Sequence, residues 1–171
     1  MQNAKTEQQK HLRANEKKWT KPLLDAGWTL IPSVILERQR ALGLEPIDLN
    51  ILLQLARYWW YSDNPPHPSK QAIAECLNVS KSTIQRRIAR LEAAGLIRRE
   101  SRFGAAGGGQ QTNAYHFDGL IKEAVPFAEE AIAERKARQK EDADRRTRKR
   151  PKLTLVPPMK PRSEGHDHST R

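Results

Sequence analysis

The stretch spanning residues 69–97, SKQAIAECLNVSKSTIQRRIARLEAAGLI, decides the fold. Ser69 is placed to cap a helix, because its short side-chain oxygen accepts from backbone N–H groups left free in the first turn. Ile73, Ala74 and Leu77 then recur at the spacing of one helix face. Asn78-Val79 breaks that pattern, and Ser80 restarts it as a second cap. Ile84, Ile88 and Leu91 form the buried stripe of the second helix. Gly95 ends it, since glycine tolerates the left-handed conformation just past a helix terminus, and Leu96 folds back toward Leu91.

Two stripes of this kind require the helices to cross closely. Ala74 is small at the crossing and Val79 fills the turn. That is the logic of a helix-turn-helix, whose second helix enters the major groove of DNA. Its outward residues are Lys81, Ser82, Gln85, Arg86, Ala89 and Arg90, with Thr83 and Arg87 on the flanks. This set has no acid and carries groups that bond base edges or phosphates.

Working outward, residues 96–103 read as one strand and residues 112–117 as another, the latter with Tyr115 and Phe117 on a common face. The intervening GAAGGG at 104–109 is a loop tip, so the pair forms a wing bearing Arg98, Arg99 and Arg102, with Gln110, Gln111 and Asn113 on the returning side. The glycines do not form a phosphate-cradling loop, which runs from strand to helix and ends in Gly-Lys-Ser/Thr.

Upstream, residues 27–31 read as a short strand and Pro32 opens a short helix with Val34, Ile35 and Leu42 inward. Asp48 is expected to cap a central helix from Leu49 to about Tyr61. Its face comprises Leu52, Leu55, Ala56 and Trp59, widened by Ile51 and Leu53. Trp59-Trp60-Tyr61 suggests a base-stacking platform, but aromatics at helical spacing are more often core or a dimer contact. SDNPPHP at 62–68 is a loop.

Downstream, a helical stretch runs from about Asp118 to about Arg150. Leu120, Ala124, Phe127 and Ala131 make one contact stripe, and Pro126 interrupts the pattern. From Arg135 to Lys152 there are ten Lys/Arg against three acids. The expected organisation is a flexible arm over 1–20, a folded domain over 21–118, a basic helix over 119–150 and a disordered tail over 151–171.

The 171 residues carry 31 Lys/Arg and 20 Asp/Glu, a net charge of +11, which points to a polyanionic partner, nucleic acid before membrane. No apolar run approaches the roughly 20 residues of a spanning helix. MQNAKTEQQK lacks the apolar core of a signal peptide, and the single cysteine, Cys76, fits a reducing cytoplasm as a small core or boundary residue. The five histidines are scattered, and no acid pair, nucleophile–base pair or metal-ligand spacing emerges. No catalytic site, cofactor, metal or small-molecule ligand is expected.

The assembled residues resemble the winged helix-turn-helix proteins of bacteria. The resemblance rests on Gln71-Ala72-Ile73-Ala74, Leu77-Asn78-Val79-Ser80, Ser82-Thr83-Ile84-Gln85-Arg86 and the run from Leu91 to Ile97. Thr112-Asn113-Ala114-Tyr115 is similar to the second wing strand of the subset found in plasmid and phage replication proteins and in regulators of mobile elements. It implies a mainly α fold with a small β-wing. It also implies that Lys81, Ser82, Gln85 and Arg86 meet bases while the wing grips backbone.

The expected function is sequence-specific binding of double-stranded DNA. Ser80 with the helix N-terminus faces phosphate, and Lys81, Arg86, Arg87 and Arg90 supply charge. A homodimer through the C-terminal stripe or the first helices would read two half-sites. Transcriptional regulation on a mobile element is the leading role, with replication initiation at an origin and a protein-docking subunit as the rivals.

Overall fold

The computed structural model describes residues 14–103, 109 and 111–147; Gln110, the first wing-tip residues and the 151–171 tail lie outside this range. Residues 14–19 form α1. There follow α2 (Lys21–Asp25), α3 (Ser33–Glu37), α4 (Pro46–Ala56), α5 (Lys70–Leu77), α6 (Lys81–Ala93), β1 (Arg98–Glu100), β2 (Ala114–His116) and α7 (Asp118–Thr147). The fold is mainly α with one two-stranded antiparallel sheet, in which Arg99 pairs with Tyr115.

The α5–turn–α6 pair forms as its sequence dictates. Ser69 Oγ accepts from the Ala72 N–H at 3.0 Å, and Ser80 Oγ accepts from the Thr83 N–H at 3.1 Å. Asn78 takes the left-handed conformation (φ 51°) that turns the chain between the helices. Ile73 and Ala74 of α5 and Ile84, Ile88 and Leu91 of α6 are buried, and Val79 packs against them. At the end of α6, Gly95 has φ 71° and the Leu96 N–H donates to the Leu91 carbonyl at 3.0 Å.

α4 sits under this pair, with Ile51, Leu52 and Leu55 wholly buried. Its start differs from the sequence reading. Glu45 is the N-cap and Pro46 opens the helix, while Asp48, in the first turn, accepts from the Glu45 N–H at 3.0 Å. Its end differs too, falling at Ala56 rather than Tyr61. The Tyr58 and Trp59 N–H groups turn back onto Leu55 and Ala56 at 3.1 and 2.9 Å. Trp59 then leaves the helix to stack on Phe117, centroids 5.1 Å apart and planes 12° apart. The Trp59 ring thus packs, half-buried, against the core, and Trp60 meets the edge of Trp28 at 6.3 Å.

The strand expected over 27–31 is absent. The segment is extended, but the two strands among the described residues pair only with each other, and Leu30 stays 79% exposed. The wing strands are also shorter than expected, three residues each. Cys76 is exposed, not at the core boundary.

Residues up to Ile132 form one compact unit and those from Ala133 onward a second. Within the first, Leu120 and Ala124 of α7 are buried and Phe127 packs beside them, so the predicted stripe is spent on the domain's own core. α7 is continuous through Pro126. In the second unit the described residues are exposed helix, with Glu134–Arg138 and Glu141–Arg145 pairs one turn apart at 3.3 and 2.6 Å.

Candidate nucleic-acid interface

The outer face of α6 presents Lys81, Ser82, Gln85, Arg86 and Ala89 to solvent. Their direction follows from the burial of Ile84, Ile88 and Leu91 on the opposite side. At the N-terminus, Ser80 Oγ lies 2.8 Å from both Ser82 Oγ and Thr83 Oγ1, so the three hydroxyls are held as a group around the free end of the helix. Exposed N–H groups and the helix dipole there favour an anion.

The remaining arginines of α6 are engaged elsewhere. Arg87 Nη1 lies 2.6 Å from Glu45 Oε2 and 3.8 Å from Asp48 Oδ1. Arg90 Nη1 lies 2.8 Å from Glu45 Oε1 and 2.6 Å from Asp48 Oδ2, and its Nη2 donates to the Gly43 carbonyl at 3.3 Å. Asp48 is completely buried, so both cations balance a charge that has left water. Its Oδ1 and the Arg87 Nε have no hydrogen-bond partner among the described residues, so Oδ1 is balanced by the charge of Arg87, whose Nη1 is 3.8 Å away. These two arginines staple α6 to the first turn of α4.

The wing shows the same division. The Arg99 guanidinium grips Glu92 of α6, donating from Nε to Oε2 at 2.7 Å and from Nη2 to the same oxygen. That grip holds the Glu92 carboxyl below its usual pKa. His116 Nε2 lies 2.8 Å from Glu100 Oε2, and His116, with Arg98 second, lowers the Glu100 pKa. Arg98 is exposed, 3.5 Å from Glu100 and 3.8 Å from Asp118. Arg102 is half-buried, and its carbonyl accepts from the Gln111 N–H at 2.9 Å. Burial of Tyr115 beneath the wing raises its phenol pKa.

A cleft of about 310 Å³ lies between the wing and the helix pair, lined by Ser69, Lys70, Gln71, Lys81, Gln111, Thr112 and Asn113, with Pro68 and Tyr115 also at its wall. The structure thus brings Lys81, Gln111 and Asn113 together at one cleft. Lys70 and Gln71 join them there, although neither is among the DNA-contacting residues expected from the sequence. Their position in the first turn of α5, just past a capping serine, was the available signal. Gln71 Nε2 donates to Glu75 at 2.9 Å.

Among the described residues, no three His, Cys, Asp or Glu side chains are grouped to hold a metal ion, and no helix is long and apolar enough to cross a membrane.

Residues 42–97 match the family model described as a helix-turn-helix domain. The chain is also similar to the N-terminal domain of the DnaD protein from Geobacillus kaustophilus HTA426, with a TM-score of 0.48 and 20% identity over 70% of this chain and 96% of that one. A protein described as a possible transcriptional regulator from Methanosarcina mazei Go1 gives a TM-score of 0.38 at 20% identity, over 64% and 85% of the two chains. The disulfide form of AbfR gives 0.35 at 18%, over 84% and 97%. Likeness at this distance specifies no function. No match is found among curated proteins.

Proposed function

We propose that this protein binds double-stranded DNA sequence-specifically, with α6 in the major groove and the wing along the backbone. The observation that carries the reading is the exposed, acid-free face Lys81–Ser82–Gln85–Arg86 on a helix fixed from behind by Arg87 and Arg90. Gln85 suits the paired donor and acceptor of adenine, and Arg86 the two acceptors of guanine. Ser80, Lys81 and the end of α6 suit a phosphate, and Arg98, Arg102, Gln111 and Asn113 suit the backbone beside it. Arg87, Arg90 and Arg99 act mainly by holding the reading head in place. Transcriptional regulation is the output we assign. It predicts a site overlapping a promoter, whereas an initiator needs repeated sites at an origin.

Titration of a random-sequence duplex at several salt concentrations tests the DNA reading. Affinity falling with a log–log slope of roughly −0.9 per phosphate neutralised supports it. Absence of binding at low salt would remove it in favour of a protein-docking role.

A further inference from the structure

Beside its buried row, α7 carries a second apolar row that is about half exposed. Ile121, Val125, Ala128 and Ile132 follow one another at intervals of four, three and four. At about 100° per residue they fall on one line, roughly a quarter-turn from the buried row of Leu120, Ala124, Phe127 and Ala131. Ile121, Val125 and Ile132 are 46, 44 and 50% exposed. The row is continuous with an almost wholly apolar groove of about 260 Å³, where Ile121 meets Leu30, Ile31 and Pro32, and with a smaller one of about 140 Å³ bounded by Val125 and Val34.

We infer that this row is the seam of an antiparallel homodimer and that its partner is the same row on a second copy of the chain. The 4-3-4 spacing reads the same in both directions. A two-fold axis midway between Val125 and Ala128 sets Ile121 against Ile132 of the partner subunit and the larger Val125 against the smaller Ala128 of the partner subunit, as interlocking side chains require.

Charge selects the same arrangement. Lys122 and Glu129 flank the seam on one side, both exposed and without an ion-pair partner among the described residues. In antiparallel helices like flanks face each other, so each Lys122 meets Glu129 of the partner subunit, giving two symmetric pairs. In parallel helices that flank would face the side holding Ala124 and Ala131, where no charge waits. The pairing is a property of the free protein and does not depend on the DNA reading.

The test is sedimentation equilibrium of the full chain without DNA. A dimer is expected. Val125→Glu should raise its dissociation constant about tenfold or more, because the carboxylate would be buried at the seam. Lys122→Glu should raise it about three- to tenfold by placing like charges together, and the double exchange Lys122→Glu with Glu129→Lys should restore it.

Direction is read by oxidative cross-linking in a Cys76→Ser background. Ile121→Cys mixed with Ile132→Cys should cross-link, while each variant alone should not, since the two positions lie about 16 Å apart along the helix. A monomer at all concentrations overturns the inference. So does a dimer that ignores Val125→Glu, or one in which Ile121→Cys alone cross-links. Loss of DNA binding with the dimer intact would instead count against the proposed function alone.

Discussion

Arg90 on the outer helix of the pair donates from Nη1 to the fully buried Asp48 Oδ2 at 2.6 Å, although the two residues stand 42 positions apart. Arg87 and Glu45 complete a four-charge cluster that locks the rotation of α6 about its own axis. On the proposed DNA reading, this cluster sets the aim of the face α6 presents.

Replacing the acid at the centre should therefore cost stability. Asp48→Asn keeps the volume and an acceptor for the Glu45 N–H but leaves two guanidinium groups without their buried anion. A loss of about 2–3 kcal/mol is expected in urea unfolding. The value stays below that of a sealed pair because Arg90 is 44% exposed and water compensates it in part. An unchanged midpoint would mean that the cluster is ornamental.

A backbone contact between the end of α6 and the start of α7 should be less forgiving. A Cβ built on Gly119 would lie 1.7 Å from the Gly95 carbonyl oxygen, and the next residue's N–H, Leu120, donates to the Leu96 carbonyl at 2.7 Å. Here the start of α7 sits directly on the loop that ends α6. Gly119→Ala must push the two apart and should destabilise by about 1–3 kcal/mol, although alanine is the better helix former. A stabilised variant in thermal unfolding would contradict that geometry.

On DNA, two neighbouring side chains should behave differently. Gln85→Ala is expected to cost about 1–3 kcal/mol on a cognate duplex and to relax the base preference at one position. Lys81→Ala should weaken cognate and random duplexes alike and reduce the salt slope by about one. Fluorescence anisotropy on both duplexes separates the two. Equal losses on both for Gln85→Ala would mean that α6 does not read sequence.

Acid should loosen the wing. The Arg99 grip lowers the Glu92 pKa in the folded state, so the folded protein holds that proton less tightly than the unfolded chain. The resulting stabilisation is fully present above the unfolded carboxyl's value of 4.5 and is lost as pH falls through the lower folded value. The Tm difference between the parent and Glu92→Gln should be constant near neutral pH and shrink below about pH 4. A difference that grows on acidification would reverse the sign and rule out this origin.

What was legible in the sequence is what depends on near neighbours. Ser69 and Ser80 cap through bonds spanning three residues, and Ile84, Ile88 and Leu91 declare their face by spacing alone. The errors sit where distant contacts decide. Trp59 continues a helical pattern on paper, yet Phe117, far along the chain, draws it out of the helix. Asp48 has the chemistry of a cap, but two arginines from α6 claim it in the first turn, with Glu45 one turn earlier. The pairing of Arg87, Arg90 and Arg99 with Glu45, Asp48 and Glu92 was not legible either, because nothing local reveals it. The row at Ile121, Val125, Ala128 and Ile132 was hidden beside a competing one on the same helix.

The most direct test of the central claim is selection of bound duplexes from a random pool by the full chain, repeated with Gln85→Ala. A sharp enriched motif is expected for the parent, and a loss of preference at one base position, or one per half-site, for the variant. Steeply salt-sensitive binding to every duplex with no enriched motif would contradict it, because charge alone, without the aimed face of α6, would then account for the binding.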